Sequence, residues 1–301
     1  MKKLLPLFLL LLSACELIVD VDVPFEGDKV VVNSVQDANA PWTVTLSRMN
    51  YILNPSPSLF APVIDAEVVI HNPDGTTETL VHDPDAQGGG LFRGASSPQP
   101  GGRYKISVSA PGAQAAEAEM LMPGIVKIEK VAWDSTVIDP NKPPHFYYNF
   151  PVTVTFTDPA EVENYYSVEV WTISRDTYQS PSGEITVDTI ARGRVLSIED
   201  LAIVKKDERK LRFKDQSFAG RRYTGHFTCQ LLAPNENQEI LWYEVRLMNL
   251  SPEVFKYEET HELQSDVMGD PLSQPVPVFS NFESGVGIFG GQAVDKVVFR
   301  R

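Results

Sequence analysis

Apolar and polar residues alternate with a period of two through most of this chain, in short runs divided by Pro, Gly, Asn and Asp. Lys29 to Val35, Trp42 to Ser47, Ala66 to Asn72, Arg103 to Ala110, Pro151 to Thr157, Tyr165 to Ile173 and Ile240 to Leu250 all read as strands. In Arg103 to Ala110, Tyr104, Ile106 and Val108 fall on one face and Lys105, Ser107 and Ser109 on the other, the pattern of a strand with one face in a core. Asn72-Pro73-Asp74-Gly75 predicts a hairpin turn, because glycine accepts a positive φ without steric cost. A new strand, Ile125 to Trp133, opens a second block after Pro123-Gly124, and the proline-rich Asp139 to Pro144 reads as a loop within it. The predicted fold class is all-β: two tandem β-sandwich domains, immunoglobulin-like or prealbumin-like. Helical signals are confined to the second block. Ser251-Pro252-Glu253 combines an N-cap serine, proline at the first helical position and an acid in the first turn, and Ser197 to Leu201 predicts one helical turn.

The first residues break the alternation. Lys2 and Lys3 precede an apolar run, Leu4 to Leu12, too short to span a bilayer, and Leu12-Ser13-Ala14-Cys15 follows it as a lipobox. Such a leader is removed and the cysteine thiol takes the lipid, so Cys15 is the predicted lipidation site and palmitate-type acyl chains the predicted anchor. The predicted divisions are a signal peptide over 1–14, an anchor and tether over 15–28, an N-terminal β-sandwich over 29–122 and a C-terminal β-rich domain over 123–301. The expected location is the outer membrane, on either face.

Charge narrows the partners. Losing Lys2 and Lys3 with the leader takes the net charge from −14 to −16. A surface this acidic, without a Lys/Arg stripe, repels phosphate backbones, so nucleic acid is excluded as a partner. Cys229 is the one cysteine besides Cys15, which leaves no intramolecular disulfide once Cys15 is acylated, and its place in an alternating run points to a buried, inert side chain.

The search for catalytic chemistry ends mostly in rejections. Gly285-Val286-Gly287-Ile288-Phe289-Gly290 matches a dinucleotide-binding spacing, but the chain ends too soon for the helix and acid that fingerprint needs. These glycines read as structural, and Ile288 and Phe289 between them either plug the second domain's core, the preferred reading, or contact a partner. His261-Glu262 begins a zinc-protease motif whose second histidine position holds Ser265, and Gly94-Ala95-Ser96-Ser97-Pro98 lacks the second glycine of a nucleophile elbow. His71, His82, His145, His226 and His261 show no metal-ligand spacing, and Asp83 and Asp85 beside Gly88 to Gly90 offer calcium two acids without a spaced third. No cofactor and no catalytic residue is predicted. Two adjacent aromatic pairs, Tyr147-Tyr148 and Tyr165-Tyr166, place one ring of each pair outward, making Tyr147 and Tyr165 partner-contact candidates. Asp134-Ser135-Thr136 and Asp188-Thr189-Ile190 carry a short O-glycosylation-like pattern at Ser135 and Thr189.

The order of segments resembles a Bacteroidota lipoprotein family defined as a domain of unknown function, number 4249. The fragments that carry this are Val30 to Asn33, Trp42 to Ser47, Ile64 to Val68, Pro100 to Tyr104, Phe156 to Pro159 with Asn164 to Tyr166, Phe213 to Asp215 with Phe218 to Gly220, Pro277 to Asn281, and Gly285 to Gly291; Phe282 departs from the family's usual isoleucine. The resemblance implies a role beside an outer-membrane β-barrel transporter of the TonB-dependent class, and it implies no catalytic residues. Three roles stay open: a non-catalytic binding or assembly accessory, an exported hydrolase (glycosidase or peptidase), and a structural or adhesive surface module.

Overall fold

The computed structural model describes residues 29–49, 61–133, 147–179, 185–193, 195–198, 203–207, 210–232, 237–268 and 273–300. The strands are β1 (Val30–Asp37), β2 (Thr43–Arg48), β3 (Glu67–His71), β4 (Thr77–Thr79), β5 (Val81–His82), β6 (Leu91–Arg93), β7 (Arg103–Ser109), β8 (Ala116–Leu121), β9 (Ile128–Trp133), β10 (Tyr147–Thr157), β11 (Tyr165–Gln179), β12 (Ile185–Gly193), β13 (Val195–Ile198), β14 (Ile203–Asp207), β15 (Lys210–Lys214), β16 (Arg222–Leu232), β17 (Gln238–Leu250) and β18 (Val286–Arg300), with one helix, α1 (Pro252–Val267), between the last two. The protein is all-β and sandwich-like, as the alternation predicts. No helix among the described residues is long and apolar enough to cross a membrane.

Three sheets build two large cores, and a smaller apolar cluster of Met248, Leu250, Val254 and Phe255 lies under the helix. The order β4-β3-β7-β8 forms one small sheet and β13-β16-β10-β9 another, while β14-β15-β11-β17-β18-β1-β2-β6-β5 runs through both halves of the molecule, with β12 beside β11. The inward residues of β1, β2 and β6 meet those of β3, β7 and β8 in a first core around Trp42, Phe92 and Ile106. Those of β11, β15 and β17 meet β10 and β16 in a second, around Phe156, Tyr166 and Phe213. Each fully buried side chain of this size contributes roughly 1.5–3 kcal/mol, which holds the halves without a disulfide. Cys229 is part of the second core.

The final strand crosses the division expected at Met122 to Gly124. Its first half pairs with β1 in parallel (Val31 with Val286, Asp37 with Gln292), and its second half pairs with β17 (Leu250 with Gln292, Trp242 with Arg300). Phe282 and Phe289 therefore belong to the first core, not the second. This corrects both the 123–301 domain and the expectation that Phe289 plugs the second domain. Period-two patterns identify strands but carry no information on which distant strand is the neighbour.

Local chemistry accounts for the turns and caps. The β3–β4 hairpin closes with Gly75 at φ +85° and Asp74 accepting from the Thr76 N–H at 3.0 Å. Ser251 caps α1, its Oγ accepting from Val254 N at 3.4 Å, as its sequence predicts. Ser197 and Ile198 are instead in β13, opposite Thr228 and Phe227: ladder bonds to β16 outweigh a weak local preference for a helical turn. Cys15, Ser135, His145 and the loop at 139–144 lie outside the described residues.

Candidate functional site: a charged groove on the outer face of the long sheet

The face of the long sheet that turns away from the second core carries a row of polar residues where solvent-exposed strands would suffice. On β11 the alternation places Tyr166, Val168 and Val170 in the core and Tyr165, Ser167, Glu169 and Trp171 on the opposite face. Cross-strand register then arranges this face in ranks. Ser167 lies between Arg212 of β15 and Met248 of β17, with Val294 of β18 next. One pleat along, Glu169 lies between Lys210 and Arg246, with Lys296 beyond, and Trp171 stands opposite Glu244. Helix α1 walls one side, sending Glu258 and Glu262, four residues apart and so on one helical face, down to the cations of β15. Together these elements enclose a groove of about 660 Å³, with Val35 and Asp37 of β1 at its far side.

Its charges are interlocked. Glu258 accepts from Lys210 and, at 3.1 Å, from Arg212; Glu262 also accepts from Arg212, which is only 3 % exposed. Glu244 accepts from Arg246 at 2.6 Å, from Lys296 at 3.1 Å and from the Trp242 indole at 3.1 Å. Burial pushes Glu244 upward, but those hydrogen bonds outweigh it and hold its carboxyl below the usual range. Glu169 differs. Burial raises its pKa, and the Trp171 indole N–H at 2.6 Å and the charges of Lys210 and Arg246 only partly counter this. The Arg246 guanidinium lies 4.7 Å from the Trp171 ring centre. Ser167 is 1 % exposed, and its Oγ has no hydrogen-bond partner; among the described residues it is the buried unpartnered side-chain atom that belongs to the groove.

The helix wall depends on the glycine-rich tail. A Cβ on Gly290 would stand 2.5 Å from Val254 Cγ2, so glycine there lets the first turn of α1 lie against β18. Ser251 fastens the contact, accepting from Gly291 N at 3.3 Å and donating its own N–H to Gly291 O at 2.8 Å. Gly287 sits at φ +125°, with the Val32 carbonyl oxygen 1.9 Å from where a Cβ would be. Asn281 clips the same strand from the side: its Nδ2 donates to Phe289 O at 2.8 Å and its Oδ1 accepts from Phe289 N at 3.0 Å.

The family model described as "Domain of unknown function (DUF4249)" matches residues 17–297. The chain belongs to this family. No curated protein matches it. Among solved structures it is similar to a DUF4785 family protein from Legionella pneumophila subsp. pneumophila, at 13 % identity and TM-score 0.22, covering 73 % of this chain and 52 % of that one. It is also similar to the partial N-terminal region of an enterococcal surface protein, at 7 % identity and TM-score 0.18, covering 76 % and 92 %. The chain thus spans about half the length of the Legionella protein, and neither likeness bears on function.

The fragments that carry the DUF4249 resemblance fold into scaffold. Asp158 accepts from the Tyr166 hydroxyl at 2.5 Å and from Gly220 N at 2.7 Å, and Asp215 accepts from Asn164 N at 2.7 Å. Of the predicted contact residues, Phe289 and Ile288 are buried, at 0 % and 1 % exposure, Phe289 stacking 6.0 Å from Trp42; neither is open to a partner. Tyr165 is half-buried at one end of the polar face, 5.0 Å from the Phe255 ring. Burial, with a hydrogen bond to Glu163 at 2.8 Å, pushes its hydroxyl up to about 12. Tyr147 starts β10, and its side chain lies outside what is described. Thr189 is exposed within β12, opposite Arg175. Asp83 is held by Arg93 at 2.6 Å, which takes up the carboxylate considered for calcium.

None of the groove's central residues, Ser167, Glu169, Trp171 and Arg246, stood out in the sequence. A strand that alternates apolar with polar looks half-solvated whichever way its polar face is used. The usable signal was the length of β11 and a tryptophan on its polar face.

Proposed function

We propose that this chain is an exported, lipid-anchored binding protein that seats a small polar ligand in the groove and serves as an accessory to an outer-membrane β-barrel of the TonB-dependent transporter class. The observation that carries the binding reading is the Ser167 hydroxyl, buried at the groove without a partner. Leaving a buried hydroxyl unpaired costs about 1–3 kcal/mol, so folding alone does not favour it, and a ligand that completes it offsets that cost. Glu169 adds to this, with one carboxylate oxygen on Trp171 and the other open to a ligand. The anchor rests on Leu12-Ser13-Ala14-Cys15, and the tether from Glu16 to Asp28 reaches at most ~45 Å, which keeps the groove near the bilayer.

A hydrolase reading draws on Glu169, whose raised pKa suits a general acid. It needs a second carboxylate close to the first and free of cations; Glu244 and Glu258 each hold two cations, and Asp37 stands at the groove's far side, bonded by the Gln292 amide. Binding is therefore the better account. The test is a melting screen of the mature chain and of Ser167→Ala against a library of neutral and charged metabolites. At least one compound is expected to raise the wild-type Tm and to raise the variant's less. Equal shifts in both proteins, or none in either, would overturn the reading. For the anchor, Cys15→Ala is expected to leave the membrane fraction, and its retention after a high-salt wash would contradict lipidation.

A further inference from the structure

The groove is polar but electrically balanced, and that restricts what it can hold. Its lining carries three acids, Asp37, Glu169 and Glu258, and three cations, Lys210, Arg246 and Lys296, and each of those cations already sits on an acid, Lys210 on Glu258 and Arg246 and Lys296 on Glu244. A ligand carboxylate would find each cation already beside an acid and would face those acids at close range. A ligand ammonium would be drawn to Glu169, which has Lys210 on one neighbouring strand and Arg246 on the other. A ligand carboxylate has to break an existing pair in a partly buried site, where such pairs are weakly screened, and an ammonium at Glu169 has those two cations at close range. Hydroxyl groups meet no such obstacle. They donate to the spare lone pairs of paired carboxylates and accept from the spare N–H groups of paired cations.

Resting on the groove as the ligand seat, we propose that its ligand is a neutral, hydroxyl-rich small molecule, the chemical class of short uncharged saccharides. Ser167 and Glu169 are two residues apart on one strand face, so the groups they offer stand about 7 Å apart and ask for at least two polar groups on the ligand. Val35 and Val294 line the same groove and give the carbon skeleton of such a molecule an apolar side to rest on. A purely apolar ligand is disfavoured, since it would bury the charged ranks and satisfy nothing.

The test is isothermal titration calorimetry of the mature chain with maltotriose, cellotriose, xylotriose and mannotriose as neutral probes, and with trigalacturonate and a chitosan trimer as charged ones, at low and high salt. At least one neutral probe is expected to bind, with affinity nearly unchanged by salt, and Ser167→Ala is expected to weaken it about 3- to 10-fold, the loss of one hydrogen bond. Binding of a charged probe alone, weakened by Ser167→Ala, overturns the neutral class while the groove stands. Binding of neutral probes that Ser167→Ala leaves unchanged, or no binding of any neutral probe, also overturns the proposal. In the second case the melting screen described above decides whether the groove binds at all.

Discussion

Two serines in this protein are equally buried, one with hydroxyl partners and one without, so the same substitution at each reports what the hydroxyl does there. Ser251 and Ser167 are both 1 % exposed. Ser251 Oγ accepts from Val254 N at 3.4 Å and Gly291 N at 3.3 Å, so Ser251→Ala leaves two buried N–H donors without a side-chain acceptor and uncaps α1. A lost N-cap costs about 0.5–2 kcal/mol, and the second donor places this site at the upper end, near 2 kcal/mol. Ser167 Oγ has no partner, so Ser167→Ala removes a desolvated oxygen and strands nothing. Its cost is a void smaller than a methyl group, its gain relief of an unpaired polar atom, and the balance is between zero and about 1 kcal/mol of stabilisation. For a chain of this size 1 kcal/mol moves Tm by roughly 2 °C. The assay is thermal melting of the ligand-free proteins followed by circular dichroism. Ser251→Ala is expected to melt a few degrees low and Ser167→Ala at or slightly above wild type. A drop in Ser167→Ala comparable to that in Ser251→Ala would mean that the hydroxyl serves the fold, and the binding argument built on it would fail.

Other outcomes follow from the same geometry. Gly287→Ala combines a φ of +125° with a Cβ 1.9 Å from the Val32 carbonyl, so it is expected to cost about 3 kcal/mol or more in urea denaturation; a loss under 1 kcal/mol would contradict the β1–β18 register. Phe289→Ala empties a fully buried site beside Trp42 and is expected to cost about 3–5 kcal/mol, whereas an unchanged midpoint would return Phe289 to the surface. Glu169 has a folded pKa above its ordinary 4.5, so the folded state holds the proton more tightly, and the ionised carboxylate costs stability above the folded pKa, a cost that fades as pH falls through it. Glu169→Gln, left facing Lys210, Arg246, Glu258 and Trp171, is expected to be the more stable form at neutral pH and to lose that advantage by about pH 4; a difference that does not vary with pH would refute the assignment.

Much of the scaffold was legible before the structure, and the groove was not. Tyr104, Ile106 and Val108 are buried on one face of β7, as their alternation predicts, and Ser251 caps the helix its sequence announces. These are short-range properties that a dozen residues determine. Ser197 was misread because an edge strand's ladder to β16 leaves little trace in its own residues. The union of β1 with β18 joins residues some 250 apart and depends on Gly287, Gly290 and Asn281 together, which no local pattern expresses. The groove inherits that difficulty. Lys210, Glu169, Arg246 and Lys296 share one rank only through three successive registers, and Arg212 meets Glu258 and Glu262 only because α1 lies down over β18.

The account stands on the groove being the ligand seat, and the indole N–H groups report on it directly. The chain has four tryptophans: Trp171 donates to Glu169 in the groove, Trp242 donates to Glu244 beside it, Trp42 is fully buried in the first core, and Trp133 packs on Tyr243 and Phe299. An NMR titration of the nitrogen-15-labelled mature chain, with whichever compound raises its Tm, is expected to move the Trp171 indole resonance most and Trp242 less, with Trp42 unmoved. A saturating titration that leaves Trp171 in place while other resonances shift would put the ligand elsewhere and contradict the account.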